Sequence, residues 1–292
     1  MATRREVIAA AGGLVLSACS MAPPTSPVQS DAARKIAEIE SRIGGRIGVF
    51  AINDQTMTSI AYRYGERFAM ASTFKWILAA LVLKQAEAGK LKLDQRLSYA
   101  AGDILLNSPI TQVHLAEGGM TIEALCEAII TVSDNTGANL LLDQVGGPEG
   151  VTKFLRASAD HETRLDRREL ELNQNLKDDP RDTTTPMAMA LLAERLLLRE
   201  WLPKDAQQKL YAWLMAATPG LNRLRAGLPK DWRAGDKTGT GGNGAHNDVC
   251  VAWPPGKRPI VIACYMSESA APDEAKAVAH ADIARIIVAE WT

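Results

Sequence analysis

A serine and a lysine three residues apart, Ser72 and Lys75, stand at the start of a strongly apolar stretch that continues to Leu83. Positions i and i+3 share one face of a helix, so the hydroxyl and the amine can meet. A lysine on a buried helix must be paired or have a lowered pKa, and such an amine can take the proton of a serine. Backbone N–H groups at the helix N-terminus could hold an oxyanion. Alternatively, Ser72 is only a helix cap and Lys75 reaches the surface.

A second polar motif, Ser133, Asp134 and Asn135, separates two apolar segments that are predicted to be helices. The hydroxyl of Ser133 could relay a proton, and the amide of Asn135 can both donate and accept hydrogen bonds. Taken alone, this motif is better explained by a cap between two helices.

Residues 160–183 are the most charged part of the chain and are predicted to form a long loop, and a loop of this length in a compact domain is usually functional. Glu169 and Asn173 are spaced so that one water could bridge them if the segment turns like a helix. Arg167 and Asp182 could pair across the base of the loop and hold it shut. The alternative is a solvated charged loop without a function.

The third motif runs from Asp236 to Gly241, where the chain is predicted to be extended. Lys237, Thr238 and Thr240 together suit a substrate carboxylate, because charge-assisted hydrogen bonds to a carboxylate are strong. Gly239 and Gly241 let a ligand approach the backbone closely. An edge strand with a solubilising lysine would leave the two glycines unexplained.

Composition excludes several classes of partner. The chain has 292 residues and a formal net charge of -1, so no electrostatic argument favours nucleic acid or an anionic membrane surface. The four histidines, at positions 114, 161, 246 and 280, have no spacing typical of zinc ligands. We therefore expect no metal and no cofactor.

The N-terminus has the features of an export signal over residues 1–19, followed by a proline-containing linker over residues 20–30. Arg4 and Arg5 resemble a twin-arginine signal. The four residues from Leu16 to Cys19 resemble the box that directs lipidation of a bacterial cysteine. The chain is thus expected to be exported to the periplasm and tethered to the membrane through Cys19, although ordinary cleavage without a lipid is the alternative.

Strands come from both ends of the chain and helices from its middle. Helices are predicted at 30–43, from Ser72 to near Gly89, from Thr121 to the break at Ser133, and at 137–145, 184–199, 203–217 and 272–291; strands are predicted at 46–52, 57–64, 232–237, 248–253 and 259–266. The chain is therefore expected to adopt an α+β fold with a five-stranded antiparallel sheet covered by helices. Residues 31–67 and 218–292 would form the α/β lobe, and residues 68–217 an inserted all-α lobe that carries the nucleophile helix and the Glu169 loop.

These motifs in this order resemble those of the class A serine β-lactamases, over roughly Asp31 to Trp291. The resemblance implies the β-lactamase/transpeptidase-like fold and hydrolysis of the β-lactam amide through an acyl-enzyme on Ser72. Lys75, Ser133 and Glu169 would handle the proton, with either Lys75 or Glu169 as the base for acylation. Glu169 and Asn173 would position the water that releases the product.

The resemblance also implies how the substrate is held. Backbone N–H groups of Ser72 and Thr240 would form the oxyanion hole. The side chains of Lys237, Thr238 and Thr240, with Gly239 between them, would hold the substrate carboxylate. Asn135 would contact the side-chain amide of the substrate.

The chain departs from the family pattern at several positions. Leu170 follows Glu169, where many members have a proline in a cis bond, so the isomer of this bond stays open. Asn107 stands where an aromatic residue often flanks the site. His246 stands near the place of a carboxylate-binding arginine in some members, and we assign that role to Arg223, which matches an alternative arginine position.

Cysteine positions depart from the pattern as well. Neither Ala71 nor Gly241 supplies the cysteine found in several carbapenem-hydrolysing members. Cys126 matches one half of another family disulfide, but its partner position is Ala79. A further pair, Cys250 and Cys264, is expected to consist of two buried thiols, because a disulfide between neighbouring strands has demanding geometry.

Two other functions use the same serine and lysine. A cell-wall transpeptidase or carboxypeptidase would lack a deacylating glutamate, which Glu169 and Asn173 argue against. A β-lactam sensor that stays acylated would need a membrane-spanning signalling segment. The prediction is a monomeric hydrolase of penicillins and cephalosporins that confers antibiotic resistance, with carbapenem turnover left open.

Overall fold

A computed structural model of the chain describes residues 30–291. The predicted export signal and the predicted linker up to residue 29 lie outside the described residues. No helix within residues 30–291 is long and apolar enough to cross a membrane.

Five long strands form one antiparallel sheet in the order β2-β1-β9-β8-β7, so the prediction of a five-stranded antiparallel sheet in an α+β fold is confirmed. In chain order the strands are β1 (Arg46–Asn53), β2 (Thr58–Tyr62), β3 (Phe68–Ala69), β4 (Arg96–Ser98), β5 (Gly119–Thr121), β6 (Thr183–Thr184), β7 (Arg233–Thr240), β8 (His246–Trp253) and β9 (Ile260–Ser267). The short strands form two separate ribbons, β3 with β6 and β4 with β5.

Nine α-helices occur in residues 30–291. They are α1 (Asp31–Ile43), α2 (Phe74–Glu87), α3 (Pro109–Val113), α4 (Ile122–Thr131), α5 (Asn135–Gln144), α6 (Gly147–Ala157), α7 (Pro186–Ala193), α8 (Lys204–Ala216) and α9 (Asp273–Trp291). The hydroxyls of Ser30 and Thr121 cap α1 and α4, since they accept hydrogen bonds from the backbone N–H groups of Ala33 and Ala124.

The two faces of the large sheet are buried by different helices. On one face, apolar side chains of α1 and α9 pack with inward residues of the strands such as Ile47, Val49 and Ile262. On the other face, the strands contribute Val261 and Tyr265 to a second core that contains the helix α2. Because α2 is surrounded by this core, all of its residues from Phe74 to Leu83 are buried.

Several local predictions differ from the structure. The α-helix α2 begins at Phe74, and Ser72 lies in the 3₁₀ turn that precedes it. Helix α6 was not predicted, because Pro148 suggests the end of a helix, whereas it occupies the first turn of a new one. The ribbon strands β4 and β5 lie in residues 90–120, where only loops and short helices were expected. Helix α7 packs against β1 and β9 although its residues fall in the range expected for the helical lobe.

The cysteines of residues 30–291 are reduced and buried. Cys126, Cys250 and Cys264 all carry free thiols, which confirms the expectation for the last two. Burial raises the pKa of each thiol, so all three are inert neutral side chains of the core.

Candidate active site

The turn that carries Ser72 lies against the edge strand β7 and opens to a cleft. Ser72 is half-buried, while the neighbouring Ala71 has a positive φ of 44°. The amide of Asn247 on β8 donates to the carbonyls of Ala69 and Met70, at 2.9 and 3.1 Å, and so fixes the start of this turn to the sheet. The nucleophile candidate is therefore held by a strained turn that long-range hydrogen bonds stabilise.

Lys75 extends from the first turn of α2 and is completely buried. Its Nζ lies 2.9 Å from Glu169 Oε1, and it donates to Asn135 Oδ1 at 2.5 Å and to the Ser133 carbonyl at 2.8 Å. Burial lowers the pKa of Lys75, and the charge of Glu169 opposes that shift. The lysine thus has the paired, desolvated environment that its place on an apolar helix predicts.

Glu169 stands between the serine and the lysine. Its Oε1 atom is 3.4 Å from Ser72 Oγ, a long contact, and no hydrogen bond among residues 30–291 joins Ser72 Oγ directly to Lys75 Nζ. Its Oε2 atom accepts from Asn173 Nδ2 at 2.5 Å. The carboxylate therefore connects three of the predicted site residues, and the two side chains expected to share a water also touch directly.

The backbone around Glu169 is fixed by a residue of α5. Asn139 Nδ2 donates to the Glu169 carbonyl at 2.8 Å, and Asn139 Oδ1 accepts from the Glu169 N–H at 3.1 Å. The peptide bond between Glu169 and Leu170 is cis. A single 3₁₀ turn, Glu171–Asn173, follows and directs Asn173 back toward Glu169.

The two residues predicted to pair across the loop base do so. Arg167 Nε lies 2.6 Å from Asp182 Oδ2, and Asp182 is fully buried. The backbone N–H groups of Asp166 and Arg167 donate to Asp182 Oδ1 at 2.7 and 2.9 Å. A buried carboxylate with this many donors stabilises the closed base of the loop.

Strand β7 carries a second buried lysine, Lys237, which contacts Ser133 as Lys75 does. Lys237 Nζ donates to Ser133 Oγ at 3.1 Å and to the Thr238 carbonyl at 2.9 Å. Burial, followed by the charge of Lys75, lowers the pKa of Lys237 to about 7. A Cβ atom on Gly239 would lie 2.6 Å from the Met70 carbonyl, so only glycine lets β7 approach the nucleophile turn.

Arg223 contacts the last two residues of β7, Gly239 and Thr240. Its Nη2 donates to Thr240 Oγ1 at 2.7 Å, and its Nη1 donates to the carbonyls of Gly239 and Asn247 at 3.1 and 2.7 Å. His246 occupies the neighbouring position, and burial, with the charge of Arg223 next, lowers its pKa to about 3. At neutral pH, the positive charge at this end of the site thus comes from Arg223 and not from His246.

Two buried carboxyl groups, Asp236 on β7 and Asp248 on the neighbouring strand β8, lie next to the site. Arg225 forms an ion pair with Asp236 on β7, and burial raises the pKa of Asp248 on β8 well above its ordinary value. Asp236 Oδ2 and Asp248 Oδ1 are buried and have no hydrogen-bond partner within residues 30–291. We expect one proton to be shared by this pair, because two adjacent buried carboxyls cannot both ionise.

Seven of the predicted site residues line one cleft of about 600 Å³. Its polar lining includes Ser72, Ser133, Asn135, Asn173, Arg223, Thr238 and Thr240, and its apolar wall is formed by Ile104, Leu105, Leu106, Pro109 and Val132. Asn107, where an aromatic residue is frequent in the resembled family, lines the cleft with a positive φ of 58°. Asn135 uses its amide internally, since Nδ2 donates to the Leu106 carbonyl at 2.7 Å while Oδ1 accepts from Lys75.

Sequence reasoning missed two asparagines of the site. Asn139 lies four residues after Asn135 on α5 and therefore faces the same side of the helix, which was a usable signal. Asn247 gave no comparable signal, because its contacts with the Ser72 turn span almost two hundred residues of sequence. Among residues 30–291, no group of three or more His, Cys, Asp or Glu side chains is placed to hold a metal ion.

Comparisons of the whole chain with known proteins give consistent results. The model of the β-lactamase enzyme family matches residues 31–291. The chain is 41% identical over 301 residues to β-lactamase AST-1 of Nocardia asteroides, covering 98% of this chain and 96% of that protein. It is 45% identical over 256 residues to β-lactamase L2 of Stenotrophomonas maltophilia, covering 87% and 84%. The solved structure of the last common ancestor of Gram-negative class A β-lactamases superposes with a TM-score of 0.89 at 49% identity, covering 90% of this chain and all (100%) of that one.

Proposed function

This chain belongs to the class A serine β-lactamase family, and from that premise we propose that it hydrolyses penicillins and cephalosporins through an acyl-enzyme formed on Ser72. The chain is a serine β-lactamase, an enzyme that hydrolyses β-lactams and confers antibiotic resistance. The substrate range and the role of each residue form the proposal.

Acylation begins when Ser72 Oγ attacks the β-lactam carbonyl carbon. The carbonyl oxygen becomes an oxyanion that the backbone N–H groups of Ser72 and Thr240 stabilise. The serine proton passes to the buried pair of Lys75 and Glu169, whose nearest atoms lie 2.9 Å apart. Ser133, which accepts from both buried lysines, returns a proton to the departing ring nitrogen.

The position of Glu169 is the observation that favours hydrolysis over peptide transfer. Its carboxylate is within 3.4 Å of Ser72 Oγ and is held by Asn173, so a base stands beside the future ester. Asn173 Oδ1 is buried and makes no hydrogen bond within residues 30–291, so it can accept from a water that Glu169 deprotonates. The resulting hydroxide attacks the ester carbonyl, the bond between the acyl carbon and Ser72 Oγ breaks, and Oγ takes up the proton that Glu169 had accepted.

The substrate is held on both sides of the serine. Lys237, Thr238 and Thr240 line up for its carboxylate, and Arg223 stands behind Thr240 with a permanent charge. Asn135 has two amide hydrogens, and the one not used for Leu106 can donate to the side-chain carbonyl of the substrate.

A kinetic panel on the exported domain tests the proposed range. Rates of hydrolysis of a penicillin, a cephalosporin and a carbapenem are measured with wild-type protein and with Ser72→Ala. We expect turnover of the first two substrates and none with the variant. Stable acylation of wild-type protein without turnover would instead indicate a sensor or a transpeptidase.

We also propose that the protein is a periplasmic monomer tethered through lipidated Cys19. The support for export and for the tether is the sequence of residues 1–19 alone: the arginine pair and the box that ends in Cys19. Mass spectrometry of the mature N-terminus decides the tether, since a chain that begins after Cys19 without a lipid would contradict it. A chain that retains Met1 would contradict export.

A further inference from the structure

The loop that carries Glu169 is joined to the turn between β7 and β8 by three hydrogen bonds. The N–H of Gly242 donates to the carbonyl of Asn173 at 2.7 Å. In return, Asn175 Nδ2 donates to the carbonyls of Gly242 and Asn243, at 2.9 and 3.2 Å. Two of the three bonds therefore come from one side chain, that of Asn175.

The close approach of these two segments depends on glycine. A Cβ atom on Gly242 would lie 2.6 Å from the Gln174 carbonyl, and one on Gly241 would lie 2.8 Å from the Asn173 carbonyl. Such distances are shorter than van der Waals contact, so any side chain at either position would push the loop away. The loop and the turn are thus fitted to each other backbone to backbone.

The turn that receives Asn175 is itself fixed to the sheet. The N–H of Glu268, which follows β9, donates to the Asn243 carbonyl at 2.7 Å, so this oxygen accepts from both the sheet and the loop. The same turn begins one residue after Thr240. Asn175 consequently fixes the position of the loop relative to β7, the strand whose Thr240 N–H is proposed to form half of the oxyanion hole.

Within residues 30–291, few other contacts hold the segment 175–178 of the loop in place. Behind it is a cavity of about 300 Å³ whose charged lining includes Arg46, Glu66, Arg67, Lys177, Asp178 and Glu268. Leu176, next to Asn175, is 54% exposed and does not anchor the segment in the core. Arg167, which pairs with Asp182 at the base of the loop, also contacts Gln174 at 2.9 Å and Asp179 at 3.7 Å, but it makes no contact with the segment between them.

We propose that Asn175 is a positioning residue for the hydrolysis of the acyl-enzyme, an inference that rests on the proposed function. By holding the Asn173 backbone against the turn, it keeps the amide of Asn173 on the carboxylate of Glu169. Without it, both groups would shift relative to the ester on Ser72. Formation of the ester depends on the rigid turn and on Lys75, so it would be affected less.

The kinetic signature of this role separates it from a general structural one. If release of the product limits turnover, a slower release lowers kcat and KM together and leaves kcat/KM unchanged. Loss of two hydrogen bonds of ordinary strength should lower the release rate by roughly tenfold. A merely structural role would instead lower the melting temperature, or the fraction of active protein, without this pattern.

Two variants of Asn175 and one control test the proposal. Asn175 has a φ of 49°, so Asn175→Gly removes the amide and keeps the backbone conformation. Asn175→Asp places an acceptor against two carbonyls and should act in the same direction, more strongly. Asp178→Gly is the matched control, because Asp178 also has a positive φ, of 60°, lies in the same loop and is exposed.

Stopped-flow kinetics with a penicillin and intact-protein mass spectrometry give the separate rates of acylation and release. We expect both Asn175 variants to retain the acylation rate and to accumulate the adduct, while Asp178→Gly matches wild type. Equal release rates in Asn175→Gly and wild type would overturn the inference alone. A wild-type protein that forms no adduct would overturn the proposed function and this inference with it.

Discussion

Two almost completely buried lysines converge on the hydroxyl of Ser133, and their surroundings differ in charge. Lys75 Nζ and Lys237 Nζ lie 3.3 and 3.1 Å from Ser133 Oγ. Lys75 also has the carboxylate of Glu169 at 2.9 Å. Lys237 forms no ion pair with a carboxylate of residues 30–291, and its remaining hydrogen bond goes to a backbone carbonyl.

The difference indicates a division of work between the two lysines. The charge of Lys75 is balanced inside the protein, so this lysine and Glu169 can exchange a proton without an unpaired buried charge. The charge of Lys237 has no such partner, and a substrate carboxylate would provide one. One lysine is thus placed for proton transfer and the other for binding.

Replacement of Lys75 is expected to have the largest effect on activity. Lys75→Met should lower kcat/KM by roughly 10²–10⁴-fold, the usual effect of removing a group that transfers a proton. It should also lower stability, because Glu169 would keep a buried charge without its partner. Steady-state kinetics and thermal melts measure the two effects.

Lys90→Met is the control for this variant, since it makes the same change at an exposed lysine outside the site. Acylation of Lys75→Met at the wild-type rate would show that Glu169 alone activates Ser72. The proton-transfer role would then belong to one residue and not to the pair.

The binding side of the comparison is tested by Arg223. Arg223→Ala removes the permanent charge behind Thr240, and charge-assisted contacts are typically worth about 1.5–3 kcal/mol. The variant should therefore show kcat/KM lowered by roughly ten- to a hundredfold, while the protein stays folded. Kinetics within about twofold of wild type would show that other residues hold the carboxylate.

The smallest effect is expected in the pH dependence of binding. The lowered pKa of Lys237, about 7, means that its ammonium is charged below this pH and loses its charge as the pH rises through it. For a substrate with a carboxylate, kcat/KM should fall by roughly fivefold on the alkaline side, because a neutral hydrogen bond replaces a charged one. Lys237→Arg keeps its charge at every pH and should remove this fall. Identical pH profiles for both proteins would assign the alkaline limb to another group.

The sequence predicted the chemistry of the site better than its support. The spacings around Ser72, Ser133 and Lys237 identify the motifs, because each is local and places its residues on one turn or one strand. Asn139 and Asn247 were missed, because their roles depend on contacts between distant segments. The helix α6 was missed for a local reason, since Pro148 permits a helix to begin as readily as it ends one.

The loop around Glu169 shows the same limit. Its charged composition predicts a functional loop, and the pairing of Arg167 with Asp182 follows from opposite charges at its two ends. Its middle segment, in contrast, is placed by Asn175 against backbone carbonyls of a turn far along the chain. Every residue has a backbone carbonyl, so the residue types do not indicate which carbonyl accepts, and no sequence pattern predicts this contact.

Glu169 is proposed to activate the water that hydrolyses the ester on Ser72, while Lys75 offers a second route for activating Ser72. The most direct measurement is intact-protein mass spectrometry of Glu169→Ala after mixing with a penicillin, with Glu171→Ala, an exposed glutamate in the same loop, as the control. We predict a penicilloyl adduct on Ser72 that persists for minutes in Glu169→Ala, because loss of a general base typically slows a step by about 10²–10⁴-fold. Glu171→Ala should clear the adduct as fast as wild type. A Glu169→Ala protein that turns over normally, or one that never acylates, would contradict the claim.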